Sequence, residues 1–179
     1  MFREKVPVYS AVLICYLGLI SLFRWPFGFE IVWWWFGGLF GLFLYNLDHV
    51  IYLLWQAPKE VTAIEFKKLL VERKIKNAFA LLCQTNQERT RLVGHSVIFQ
   101  LALVVVTFFA VSSTASLFGK GLVMGMFFYS LINQGQLLLK GKGLLSWFWQ
   151  VGFKISAKAE AFYFLGLLVL LFFFSRYLI

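Results

Sequence analysis

The sequence predicts an all-α, polytopic membrane protein with about five transmembrane helices. Of its 179 residues 61% are hydrophobic, 20% aromatic and only 14% charged. That is more apolar surface than a soluble domain of this length can bury. The apolar residues gather into five near-continuous runs at 6–23, 31–54, 92–111, 122–139 and 159–174, against the roughly 20 residues a helix needs to cross hydrocarbon. The basic residues are unevenly placed: all except Arg24, Lys120 and Arg176 precede the first run, separate the second from the third, or separate the fourth from the fifth. Positive-inside reasoning then puts the N-terminus inside and the C-terminus outside, in a multi-pass protein of the inner (plasma) membrane.

Each run has a local rationale. The first follows "MFREK" with no small-x-small cleavage site after it, and Ile14 precedes Cys15, so it reads as a retained signal anchor. Trp25 and Trp33–Trp35 flank the outer side of the first two runs, and Trp55, Trp147 and Trp149 lie at inner boundaries, where aromatic belts form. Tyr163 and the triplet Phe172–Phe174 anchor the short fifth run. The second and fourth runs share a local pattern, "GLFLYNL" at 41–47 and "GMFFYSL" at 125–131, preceded by Gly37/Gly41 and Gly121/Gly125 at four-residue spacing. Small residues so spaced let two helix backbones approach closely. Gln100 and Thr107 line one face of the third run, as inter-helix hydrogen-bonding residues do.

Two connections have character of their own. The cytoplasmic segment 57–91 contains "EFKKLLVERKIKNAFALL", a basic amphipathic helical pattern with Pro58 at its expected start. It reads as a helix tethered at the membrane interface, with a docking site for a soluble partner protein as the alternative. The segment 140–158 mixes Lys with Trp, Phe and Leu and is expected to lie flat on the inner leaflet. The net charge of +9 is thereby explained by topology, with anionic lipid headgroups rather than nucleic acid as its natural partners. Cys15 and Cys83 form no disulfide framework. No phosphate loop, nucleophile elbow, haem motif or cysteine metal site is present.

The polar residues inside the runs carry the functional question. Asp48 and His49 fall near the cytoplasmic end of the second run, His95 and Ser96 at the start of the third, and Asn133, Gln134 and Gln136 in the last turns of the fourth. Three helices thus contribute to one layer, which holds both histidines of the chain and what reads as its one membrane-embedded acid. Asp48, His49 and His95 offer three ligands for a divalent ion such as zinc or manganese, leaving a position open for water or substrate. Arg91 could hold an anionic substrate group. The same residues could instead form a structural network of ion pairs and hydrogen bonds, or line a proton or solute path.

"NLDH" at 46–49, "TRLVGHS" at 90–96 and "YSLIN" at 129–133 together resemble the membrane-bound, metal-dependent hydrolases regulated by the LexA repressor. The family pattern is Asp-x-Asp-His, then His-Arg-x-x-x-His-Ser, then His-Leu-Leu-x-Asp, and the likeness covers about half the chain. Asp48, His49, Arg91, His95 and Ser96 match it. Asn46, Thr90, Tyr129 and Asn133 stand where the family has Asp, His, His and Asp. The resemblance implies a divergent hydrolase acting on a lipid-borne or anionic substrate, with Asp48, His49 and His95 as metal ligands and Arg91 on the anion. Asn46, Ser96, Tyr129 and Asn133 would touch substrate or support the ligands. The alternative is a non-catalytic relative whose polar network is structural and which binds lipid or a partner protein.

Overall fold

A computed structural model describes residues 5–24, 28–85, 89, 92–113, 116–152 and 155–178. It is all-helical, with no strand among the described residues. The order is α1 (Lys5–Arg24), α2 (Ile31–Asn46), α3 (Asp48–Ile51), a π-helical turn (Tyr52–Gln56), α4 (Val61–Val71), α5 (Ile75–Gln84), α6 (Val97–Ser112), α7 (Leu117–Leu139), a 3-10 turn (Leu145–Trp147) and α8 (Ala157–Leu178). Three helical segments are long and apolar enough to cross a membrane: Ile31–Gln56, Leu117–Leu139 and Ala157–Leu178. Two shorter apolar helices, Ser10–Phe23 and Val97–Ser112, accompany them.

α2 and α7 make the most extensive helix pairing of the fold, and glycines explain why. A Cβ at Gly37 would overlap the carbonyl oxygen of Phe118, one at Gly41 that of Leu122, one at Gly121 that of Trp34, and one at Gly125 that of Gly38. The contacts are reciprocal. One sequence offset takes Gly37 to Gly121, Gly41 to Gly125, Trp34 to Phe118 and Tyr45 to Tyr129, so the two helices run parallel about a local two-fold. Backbone approach this close brings Cα–H groups against carbonyl oxygens, the packing available in lipid, where apolar side chains gain nothing from leaving water. Leu13 and Leu17 of α1, Leu103 of α6 and Phe174 of α8 close the core around Trp34 and Phe127.

Helix boundaries depart from the apolar runs for identifiable reasons. The third run was expected to be helical from residue 92, but α6 begins at Val97. Ser96 is its N-cap, with Oγ accepting from Phe99 N–H at 3.3 Å while donating to Val93 O at 2.6 Å. α7 starts five residues before the expected 122, because Ser116 caps it by accepting from Gly119 N–H at 3.3 Å. The second run is interrupted at Leu47. Asn46 Nδ2 bonds back to Leu42 O at 2.9 Å, α3 follows, and the chain then widens into the π-helical turn closed by Ala57 N–H to Tyr52 O at 2.9 Å.

The segment after Pro58 forms two helices. α4 begins three residues beyond that proline, and the turn between α4 and α5 passes through Arg73 at φ 57°. This hairpin has a small core of its own, Ala63, Phe66, Ala78 and Leu82 packed on Leu53 of the π-helical turn. At the 3-10 turn, Leu144, Trp147 and Phe148 are buried against Tyr45, Val97 and Tyr129. The segment 140–158 therefore does not lie flat throughout: its aromatic centre plugs the end of the bundle.

Candidate functional site

The site is built where α3, the turn before α6, and α7 meet. The break at Leu47 makes Asp48 the first residue of α3 and buries it at 7% exposure. Its Oδ2 accepts from the backbone N–H of Gly94 at 2.8 Å and faces His95 Nδ1 at 3.3 Å. Attraction between a carboxylate oxygen and a ring nitrogen requires a proton on that nitrogen, so Asp48 favours a proton on His95 Nδ1. The His95 side chain is 20% exposed. Gly94 has a steric role as well as a donor role: a Cβ there would sit 3.0 Å from Asp48 Oδ2.

Aromatic rings hold the imidazole in place. Tyr45 meets His95 edge-on at 4.8 Å between centroids, Trp147 lies at 5.5 Å and the His49 ring at 5.4 Å. Tyr45 also stacks edge-on with Tyr129 at 5.4 Å, and Tyr129 OH donates to Asn46 Oδ1 at 3.1 Å, tying the two related helices together at the same depth. Trp149 Nε1 donates to Leu92 O at 3.3 Å and fixes the turn from its other side. Ser96 is fully buried and occupied in capping α6.

The structure thus unites Asp48, His49, His95, Ser96, Asn46 and Tyr129. Asn133 is half-buried on α7 and joins none of these hydrogen bonds. Arg91 and Thr90 lie outside the described residues. Arg89 is buried, donates to Leu82 O at 3.5 Å and to Thr85 Oγ1, and lies near enough to His49 for its charge to act on that ring. Sequence reasoning missed it; its four-residue spacing from Thr85 is the signal that was there. Gly94 and Trp147 were missed as site residues because their parts depend on tertiary approach. Glu160 is a second buried acid. It is buried in the first turn of α8, against Gly143 at φ 65°.

Among the described residues, no three His, Cys, Asp or Glu side chains converge closely enough to hold a metal ion. Asp48 Oδ2 is spent on Gly94 and His95, and His49, adjacent on the helix, presents a buried Nδ1 with no hydrogen-bond partner. What the arrangement can do is orient the His95 imidazole through Asp48. No family model, no curated protein and no solved structure matches this chain.

Proposed function

We propose that this chain is a five-span, N-in/C-out protein of the inner membrane, and that the layer around Asp48 and His95 is a hydrolytic site for a lipid-borne anionic ester. The observation carrying this reading is the Asp48 Oδ2–His95 Nδ1 contact at 3.3 Å, which joins α3 to the turn before α6 and favours a proton on Nδ1. In that tautomer His95 Nε2 takes a proton from a water molecule. The water oxygen bonds to the acyl or phosphoryl centre, the ester bond breaks, and the proton passes from Nε2 to the departing alkoxide. Asp48 orients the ring and offsets the imidazolium charge in between. Arg89 supplies positive potential for the anionic group.

The test is hydrolysis of anionic lipid esters and phosphoesters by full-length protein in vesicles. His95→Gln is expected to lower kcat by about 10²-fold or more while leaving the melting temperature within a few degrees. Turnover equal to wild type in that variant, or none by wild type across the panel, removes the catalytic reading.

A second reading is favoured by the Gly94 N–H to Asp48 bond at 2.8 Å. In it the network only locks helix ends, and function resides in the α4–α5 hairpin. That hairpin exposes Val61, Val71, Ile75 and Phe79 beside Lys67, Lys68, Arg73, Lys74 and Lys76, a surface suited to anionic lipid or to an acidic partner protein.

A further inference from the structure

At the opposite end of the α2–α7 pair, a cleft of about 710 Å³ is lined by Glu30, Trp33, Phe36, Ser116, Leu117 and Phe118. Spanning segments begin here at Ile31 and at Leu117, so the cleft lies at the height of lipid headgroups whichever way the chain is oriented. Its volume suits a small-molecule group, for which sites run from about 300 to 1,000 Å³. Glu30 is exposed and is the one charged residue of the lining. Trp33 and Phe36 are 53% and 55% exposed, their ring surfaces open beside that carboxylate.

One acid beside open aromatic surfaces is the chemistry that receives an ammonium group, by charge pairing and by cation–π attraction. Deeper in the span, Phe36 stacks on Phe40 at 6.2 Å and Phe40 on Phe43 at 6.1 Å, with Phe118 at 5.9 Å from Phe36 and 6.1 Å from Phe40. Phe36, Phe40 and Phe43 all remain exposed along this ridge, which descends from the cleft over the lipid-facing side. A headgroup site continuous with an apolar track matches a phospholipid rather than a free amine. We infer that the cleft binds a phospholipid with an ammonium headgroup, of the ethanolamine class, with Glu30 on the ammonium and an acyl chain along the phenylalanine ridge.

The experiment is native mass spectrometry of the full-length protein, titrated separately with phosphatidylethanolamine and with phosphatidylglycerol, which shares the phosphate but lacks the ammonium. Wild type is expected to retain the ethanolamine lipid at least about fivefold better, and Glu30→Gln to bring the two lipids near parity. Trp33→Leu is expected to narrow the preference. Glu65→Gln, which removes an exposed acid on α4, should leave it intact. Equal retention by wild type, an unchanged preference in Glu30→Gln, or a loss in Glu65→Gln as large as in Glu30→Gln overturns the inference.

Discussion

Asp48 does two things with one oxygen: it satisfies the Gly94 amide and it orients His95. Removing that oxygen leaves a buried N–H without a partner, which costs about 1–3 kcal/mol, so Asp48→Ala should lower the melting temperature of the purified protein. Asp48→Asn is expected to cost less, because the amide oxygen can still accept from Gly94. Gly94→Ala should disturb the same pair from the other side by pressing its methyl on the carboxylate. Asp48 and His95 are legible in the sequence because an acid and an imidazole stand out in apolar runs and their depths along two helices coincide. Gly94 and Trp147 are not, since a small residue and an aromatic look ordinary until another element packs on them.

At the scale of elements, the parallel α2–α7 seam sets where everything else sits. Gly37→Val or Gly121→Val must force backbones apart, and overpacking of this kind costs about 1–3 kcal/mol or more; thermal unfolding in detergent should register it for either variant. Gly166 on α8 is a matched control. A Cβ there meets nothing within 4 Å, so Gly166→Ala should leave stability unchanged or raise it by up to about 1 kcal/mol through helix propensity. The seam is legible from the four-residue glycine spacing and the repeated "YNL" and "YSL" ends. Helix starts are less so: α6 and α7 begin where Ser96 and Ser116 can cap them, and those serines lie four residues past the start of one apolar run and six before another.

At the scale of the whole molecule, three segments long enough to cross a bilayer and two shorter apolar helices surround one core. The basic hairpin α4–α5 sits at the end of the Ile31–Gln56 segment that also carries Asp48. Its Glu72–Lys74 ion pair, at 2.8 Å, holds the Glu72 carboxyl below the usual range, chiefly through the Lys74 hydrogen bond. The remaining lysines face outward, so amide hydrogen exchange across Val61–Gln84 should be slower in nanodiscs containing anionic lipid than in neutral ones. The difference should shrink in high salt, as screening of exposed charges requires. Unchanged protection would separate the hairpin from the membrane surface and favour a protein partner.

The account turns on Asp48 holding His95 in one tautomer, and nitrogen-15 NMR of histidine-labelled protein in nanodiscs reads this directly. The expected spectrum has one histidine with a protonated Nδ1 and an unprotonated Nε2 at neutral pH, lost or redistributed in Asp48→Ala, which removes the accepting oxygen, and absent in His95→Gln. A His95 spectrum showing protonated Nε2 instead, or one unaltered by Asp48→Ala, would contradict it.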